Sequence, residues 1–351
     1  MRIVVTGATG NVGTSLVRSL GTDERVDEIV GLARRVPDST PPKTTWVRTD
    51  VVRDQLEPLF AGADAVIHLA WAIQPSHDLD ALRAINVEGS RRVFAAAAAA
   101  GAGALVHASS VGVYSPGPKD RRVDESWPRD GVRSSFYARH KAEAEAILDE
   151  VERDAPQLRV VRLRPGLIFK REAAQEIRRY FIGPLLPSPL VRRGLIPVIP
   201  NLPRLAFQAV HADDVAEAYR LAALSPDARG AYNIAAEPLL DVPTLSRLLG
   251  ARPVPVPVPL VRLAVDLTWR ARLQPTPAGW VDMGLGVPAL DVTRAREQLR
   301  WEPVRDATEA LLELLDGLRR AEGDDTPPLA ADAGGPMRVR ELLSGVGRRN
   351  P

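Results

Sequence analysis

The sequence predicts an α/β fold: a doubly wound parallel sheet with a smaller, mostly C-terminal second lobe. Three observations carry that expectation. Short unbroken Val/Ile/Leu runs alternate with helical stretches, as suits parallel strands buried on both faces. The first run breaks into Thr6-Gly7-Ala8-Thr9-Gly10-Asn11-Val12-Gly13 before a helical pattern begins. After Arg164-Pro165-Gly166 the character changes, with Pro184, Pro187, Pro189, Pro197, Pro200 and Pro203 crowding a segment that reads as loops and short elements.

In chain order, strands are expected at Arg2–Thr6, Glu28–Ala33, Thr45–Thr49, Ala65–Leu69, Ala104–Ser109 and Leu158–Leu163. Helices are expected at Asn11–Leu20, Asn86–Ala100 and Tyr137–Arg153. Val210-His211-Ala212-Asp213-Asp214-Val215 opens a further helix, with an aspartate placed to cap it or load its first turn. Ala231–Ala235 reads as one more strand. The Pro/Val alternation over 253–259 cannot donate a full ladder, so it is expected at a sheet edge or as polyproline. These signals divide the chain into residues 1–165 with 206–235 returning to them, a second lobe of 166–205 and 236–320, and a tail, 321–351. From about Glu322 that tail is Gly/Pro/Asp-rich and is expected to be disordered, apart from a short helix near Val339–Leu343.

Bulk properties exclude several function classes. The 351 residues carry 46 Lys+Arg against 44 Asp+Glu, a net charge of +2, so no global field argues for nucleic acid or a membrane surface. With no cysteine, neither a disulfide framework nor a thiolate metal site can form, and no metal ligands are proposed. No apolar run approaches the roughly 18 residues of a membrane span, and the chain opens on a core strand rather than a leader pattern. A cytoplasmic protein is expected.

The glycine-rich turn carries the first chemical signal. Glycine there supplies unusual backbone angles and removes the Cβ that would hold a phosphate away, while the following helix aims its N–H groups and positive dipole end at an anion. Such turns also serve merely to pack a helix on a sheet. The second signal is Tyr137-Ala138-Arg139-His140-Lys141, which sets a phenol and an ammonium on one helical face. A cation there is expected to lower the tyrosine pKa toward neutrality, suiting it to exchange a proton with an alcohol or carbonyl oxygen. Tyr and Lys at this spacing are also common on exposed helices. Ser109 and Ser110 sit where a strand ends, the edge at which doubly wound sheets bind ligands; a hydroxyl there holds a substrate oxygen or caps a turn.

Taken together the motifs resemble the extended short-chain dehydrogenase/reductase superfamily, which includes NAD-dependent epimerases and dehydratases. The matching residues run in family order: Thr6-Gly7-x-x-Gly10-x-x-Gly13, Asp50-Val51, His68-Leu69-Ala70, Asn86-Val87-x-Gly89, Ser109-Ser110-x-x-Val113-Tyr114, Tyr137-x-x-x-Lys141, Arg164-Pro165-Gly166, Val210-His211-x-Asp213-Asp214-Val215 and Tyr232-Asn233. Asp291 and Leu299-Arg300-Trp301-x-Pro303 resemble the closing segment, so the likeness covers roughly residues 1–315.

The resemblance implies a Rossmann-type nucleotide domain and a substrate-binding lobe. It implies that Gly7, Gly10 and Gly13, with Thr9, Asn11 and Val12 in the same turn, hold the cofactor pyrophosphate. Asp50 and Val51 would hold the adenine, and Leu69, Ala70 and Trp71 would lie along the cofactor, with Asn86 and Ser109 supporting the site. Ser110 would orient the substrate oxygen and Tyr137 would be the acid/base. Lys141 would bind the nicotinamide ribose, and Pro165 and Gly166 would lie along the nicotinamide. His211 and Asp213 are read as fixing the junction of the lobes. A homodimer joined through helices of the nucleotide lobe, Tyr137–Arg153 included, is also implied.

Cofactor choice turns on the end of the second strand. An acidic residue there would hold an adenosine ribose and repel a 2′-phosphate. Here Ala33 takes that place and Arg34-Arg35 follows, and a guanidinium fork matches a phosphate. NADP is therefore favoured over NAD, the alternative being that both arginines simply face solvent.

On reaction type, the nucleotide-sugar dehydratases place Asp-Glu directly after the active-site Ser/Thr, whereas this chain has Val111-Gly112. The epimerases' asparagine after the Arg-Pro step and their arginine four residues before the histidine are replaced by Leu167-Ile168-Phe169 and Phe207. Residues 159–220 hold 11 Lys+Arg against 5 Asp+Glu, a surplus that would greet an anionic substrate through Lys170, Arg171, Arg178, Arg179, Arg192 or Arg193, or else a solvated basic face. Trp71 and the stretch Phe181–Leu186 suit an apolar or aromatic small-molecule substrate, or lobe packing. Three readings follow: an NADP-preferring oxidoreductase acting on a ketone or secondary alcohol through Ser110, Tyr137 and Lys141; a nucleotide-sugar epimerase passing through a transient ketone; and a non-catalytic NADP-binding sensor or scaffold.

Overall fold

A computed structural model describes residues 1–73, 77–182 and 197–331. Seven strands form its central sheet: β1 (Arg2–Thr6), β2 (Glu28–Ala33), β3 (Thr44–Arg48), β4 (Ala65–His68), β5 (Ala104–Ala108), β6 (Arg159–Pro165) and β7 (Gly230–Ile234). Their order across the sheet is β3-β2-β1-β4-β5-β6-β7, and every neighbouring pair runs parallel. The order reverses between β1 and β4, which opens a crevice beyond the carboxyl ends of those two strands.

Strand alternation sends successive side chains to opposite faces, so the sheet feeds two cores. Ile3, Val5, Ile67, Val106 and Val161 meet α1 (Asn11–Thr22) through Leu16, Val17 and Leu20 on one face. Val4, Val66, Leu105 and Val160 meet Val93 and Phe94 of α2 (Gly89–Ala99) and Ile147 and Leu148 of α3 (Phe136–Asp154) on the other. Continuous apolar strands were needed because both faces are covered.

The expected helix over Asn86–Ala100 is preceded by further helical turns. It enters at Leu79, where the Asp78 carboxylate accepts from the Ala81 N–H at 2.9 Å, and passes through a π-helical turn at Ala84–Glu88 before α2. The extra residue in that turn coincides with Asn86 being buried inward.

Beyond β6 the chain makes the short strands Leu167–Phe169 and Ala209–His211, which pair in parallel, then α4 (Ala212–Leu224), which packs on α1, and β7. Val198–Asn201 and Arg252–Pro255 form a separate two-stranded parallel ribbon, the edge placement that the Pro/Val alternation required. The second lobe adds α5 (Val258–Arg270) and α6 (Gly279–Gly286).

Two boundaries differ from expectation. α7 (Ala307–Arg320) and Trp301 join the main core rather than the second lobe: Trp301 is fully buried, its Nε1 donates to the Asp214 carbonyl at 2.7 Å, and Leu311, Leu314 and Leu318 pack into the same cluster as α4. The tail is ordered past Glu322: residues 322–331 fold back on the nucleotide domain, with Leu329 fully buried and Thr326 donating to the Thr9 carbonyl at 2.8 Å. Low hydropathy concealed this, because a single buried leucine and two hydroxyl or carbonyl contacts suffice to seat so short a strap. The rest of the expected tail, with its short helix, lies outside the described residues. Among the described residues no helix is long and apolar enough to cross a membrane.

Candidate dinucleotide cleft and catalytic site

The glycine-rich turn joins β1 to α1 at the crevice. Gly7 has φ +71°, and a Cβ there would stand 2.6 Å from the Ala70 amide nitrogen, so conformation and space both demand glycine. A Cβ on Gly13 would fall 2.4 Å from the Gly7 carbonyl, which fixes the close approach of helix to turn. Gly10 differs: a Cβ there would touch only the Gly7 carbonyl, at 3.5 Å, so its absence keeps the outer side of the turn open. Gly10 is also the N-cap of α1, and no side chain caps the helix. Its first N–H groups and dipole therefore remain available to an anion. Asn11 is turned away, its Nδ2 donating to the Ile168 carbonyl at 3.3 Å, and Val12 packs into the core.

The crevice is an open cleft. Gly7, Thr9, Gly10, Arg34, Arg35, Asp50, Val51, Leu69, Ala70 and Trp71 line it, so ten of the sequence-predicted residues meet along one groove. Asp50 is set by its own loop: its Oδ1 accepts from Val52 N–H at 2.9 Å and its N–H donates to Asp54 at 2.7 Å. Asn86 holds the opposite wall without lining it, accepting from the Ala72 N–H at 2.7 Å and donating to the Ala72 carbonyl at 3.0 Å. His68 braces the same wall between Thr6 at 2.7 Å and Ser90 at 2.9 Å, and burial, aided by Lys141, lowers its pKa to about 3.

Arg34 and Arg35 follow β2 at the cleft, exposed and with no acidic residue at the strand end. Glu176, Tyr180 and Pro328 complete the lining. No motif marked these three; they come from the proline-dense lobe and the tail, and only the fold brings them here.

Ser110, Tyr137 and Lys141 lie on two elements, and none of them lines the groove itself; Lys141 and Tyr137 stand against Trp71, which does. Ser110 follows β5, is buried, and its Oγ accepts from the Gly112 N–H at 3.0 Å. That serine thus caps the turn, and its hydroxyl stands near enough to the Tyr137 phenol to act against the rise of the phenol pKa. Ser135 caps α3, accepting from Ala138 at 3.3 Å, and so sets where Tyr137 and Lys141 emerge from the first turn. Lys141 is buried, donates to the Ala108 carbonyl at 2.6 Å, and lies 3.4 Å from the centroid of the Trp71 ring. Trp71 in turn meets the Tyr137 ring edge-on at 6.1 Å.

The electrostatics correct one expectation. The Tyr137 pKa is not lowered: burial pushes it up to about 12, opposed only by the nearby Ser110 hydroxyl. Burial also takes Lys141 well below the ordinary lysine range, with Glu145 opposing. Desolvation penalises phenolate and ammonium alike, and the Lys141 nitrogen is 5.8 Å from the Tyr137 ring centroid with its hydrogen bond spent on Ala108. In this arrangement the Tyr137 phenol keeps its proton near neutral pH.

Aromatic and sulfur groups crowd the phenol. Trp280 lies 5.0 Å from the Tyr137 ring and 4.9 Å from Phe181. A Cβ on Gly112 would fall 3.0 Å from the Tyr137 ring and 3.2 Å from the Met283 sulfur. Residues 183–186 of the apolar stretch lie outside the described residues.

Several motif residues prove to support this site rather than face it. Ser109 turns its hydroxyl to Glu145 at 2.5 Å. Glu145 is forked by Arg164 at 2.9 and 2.6 Å, Arg164 reaches the Tyr114 hydroxyl at 3.0 Å, and Tyr114 donates to Asn233 at 2.6 Å. Burial drives the Glu145 pKa up, but Arg164 and Ser109 outweigh it and hold the carboxylate ionised. One buried network thus absorbs Ser109, Tyr114, Arg164 and Asn233. Pro165 ends β6, and Gly166 is required because its Cβ would strike the Gln208 carbonyl at 2.5 Å; neither lines the described cleft.

At the junction, His211 accepts from Asp213 N–H at 3.1 Å, Asp213 accepts from Ser15 at 2.7 Å, and Asp214 accepts from the Val304 and Arg305 N–H groups at 2.9 and 3.1 Å. Of the basic residues considered for an anion, Lys170 is buried against Thr14 at 2.6 Å and Arg171 pairs with Asp316 at 2.9 Å; Arg192 and Arg193 lie outside the described residues.

The model of the NAD dependent epimerase/dehydratase family matches residues 3–235. An uncharacterized protein of Mycobacterium tuberculosis is 28% identical over 314 residues, 89% of this chain, and this chain spans 29% of that protein's length. L-arabinose 1-dehydrogenase (NAD(P)(+)) of Haloferax volcanii is 31% identical over 234 residues, covering 61% of this chain and 89% of that enzyme. Among solved structures, MoeE5 in complex with UDP-glucose and NAD has a TM-score of 0.67 at 23% identity, over 92% of this chain and 99% of that one. That last likeness concerns the fold.

Proposed function

The chain belongs to the NAD dependent epimerase/dehydratase family, and on that premise we propose that it is an NADP-preferring oxidoreductase acting on a ketone or secondary alcohol of an apolar substrate. The observation that carries this reading is the position of Trp71: one side chain lines the dinucleotide groove and also touches Lys141 and Tyr137. The groove and the acid/base set are therefore parts of one site.

The residues present fit a dinucleotide. The open side of Gly10 and the uncapped first turn of α1 would take its pyrophosphate, and Asp50 and Val51 would flank its adenine. When bound, the nicotinamide supplies or accepts hydride. Ser110 holds the substrate oxygen through its hydroxyl. Tyr137, whose pKa of about 12 keeps it protonated near neutrality, delivers a proton to that oxygen in the reducing direction. Lys141 gains a reason to carry its charge once anionic phosphates lie nearby, and that charge then eases the return of the proton. Trp280, Phe181 and Met283 around the phenol favour an apolar group beside the reacting carbon over a sugar diphosphate.

The test is a steady decrease in NADPH absorbance with a panel of apolar ketones. Interconversion of sugar nucleotides with no net change in the coenzyme would replace this reading with the epimerase one.

A further inference from the structure

The Tyr137 phenol has two indole neighbours. Trp71, which lines the dinucleotide groove, meets it edge-on at 6.1 Å. Trp280, from α6 of the second lobe, lies 5.0 Å from it between ring centroids and is tilted by 36°. Two phenyl rings stand perpendicular to the Trp280 indole and brace it, Phe181 at 4.9 Å and Phe136 at 6.3 Å. Phe181 is 36% exposed, so this aromatic row runs from the groove to the surface of the second lobe. A ketone that reaches the phenol from the second-lobe side therefore meets Trp280.

Backbone contact, rather than loose side chains, sets the place of Trp280. α6 begins at Gly279, where a Cβ would strike the Ser134 carbonyl, so the two backbones touch directly. Asp282 accepts from the Ser134 hydroxyl at 2.6 Å and is forked by Arg262 of α5 at 2.6 and 2.9 Å. The Met283 sulfur accepts from the Ser135 hydroxyl at 3.8 Å. Ser135 is the N-cap of α3, the helix that carries Tyr137. α6 is thus docked on the start of the catalytic helix, and the gap between Trp280 and Tyr137 cannot widen without breaking those contacts.

We propose that Trp280 is a specificity-determining residue: it selects ketones whose carbonyl carries a flat apolar group, such as an aryl ring, and turns away those flanked by a branched carbon. The inference rests on the oxidoreductase reading above and deepens it by naming the substrate class. A carbonyl oxygen within hydrogen-bond reach of the phenol sets its substituents beside the Tyr137 ring, where Trp280 bounds the space on the second-lobe side. A flat ring can stack on a fixed indole. A branched group needs depth in every direction, and pressing it against a braced wall forces neighbouring side chains out of place.

The test loads the full chain with NADP+, which has no hydride to deliver, and titrates in acetophenone or tert-butyl methyl ketone by calorimetry. The unaltered protein is expected to bind acetophenone about tenfold more tightly than the branched ketone. Trp280→Ala is expected to cut that ratio by about tenfold, within the range of one apolar group in a pocket, and to change NADP+ affinity less than about twofold. Trp280→Leu, which keeps apolar bulk but not the flat ring, is expected to lose the preference as well. It serves as the comparison if the alanine variant does not fold by thermal melting. An unchanged ratio in the variant overturns the proposal. So does a parallel loss of both ketones and of NADP+, which marks Trp280 as a packing residue alone. If the unaltered protein binds NADP+ and takes both ketones alike, only the present inference falls. If it binds neither ketone, the oxidoreductase reading falls and takes this one with it.

Discussion

Tyr137 and Glu145 lie on one helix, two turns apart, and burial has opposite outcomes for them because their partners differ. Tyr137 has a hydroxyl beside it and stays neutral; Glu145 has a guanidinium and stays ionised. Replacing Tyr137 with Phe removes the proton donor and is expected to lower turnover by about 10²–10⁴-fold with folding intact, measured as the rate of NADPH consumption. Glu145→Gln leaves Arg164 buried beside a neutral amide and is expected to cost about 3–5 kcal/mol in urea unfolding; a loss under 1 kcal/mol would mean the network is not what holds β5, α3 and β6 in register. The buried histidines set a pH dependence. His68 and His140 have pKa values lowered by burial to about 3 and about 4. The unfolded chain takes up protons near pH 6.5 that the native state refuses, so stability is full above that pH. It falls as pH drops toward 4, each group contributing a slope of up to about 1.4 kcal/mol per pH unit. Denaturation midpoints at pH 7 and 5 that coincide would contradict this. Tyr137, Lys141 and Ser110 were legible by spacing, but the direction of the tyrosine's pKa shift was not, since spacing reports a neighbouring charge and says nothing of desolvation.

At the scale of elements, the strands were legible to within about two residues, because continuous β-branched and leucine runs bounded by turn residues have few other uses in a sheet covered on both faces. Helix entries were less so: the π-helical turn ahead of α2 is invisible to a pattern of period 3.6, yet it accompanies the inward placement of Asn86 against Ala72. The motif around His211 was read as a junction, and the structure shows its parts. Asp214 satisfies the two N–H groups at Val304 and Arg305 while its carbonyl accepts from Trp301, locking α4 to the segment before α7. Asp214→Ala is expected to destabilise by about 1–3 kcal/mol through those unpaired buried donors, with the unfolding transition still cooperative. A midpoint equal to that of the unaltered protein would show the junction to be held by Trp301 packing alone.

For the whole molecule, the strap is the feature that matters most. Thr326→Val removes the bond to the Thr9 carbonyl within the glycine-rich turn. It is expected to speed release of a bound dinucleotide by several-fold, read by stopped-flow fluorescence of NADPH, while leaving the far-UV spectrum unchanged; an unaltered release rate would mean the strap takes no part in retention. By itself the sequence determined the fold class and the glycine-rich turn, and it singled out Tyr137 and Lys141 as candidates, all of which rest on local patterning: hydrophobic period, turn chemistry, and side chains one helical turn apart. Only the tertiary structure decided which motif residues face the groove and which brace it from behind. It alone brought Glu176, Tyr180 and Pro328 to the cleft, and it alone set the protonation of the buried groups. Those outcomes depend on contacts between segments more than 100 residues apart and on the exclusion of water, neither of which leaves a periodic trace in the chain.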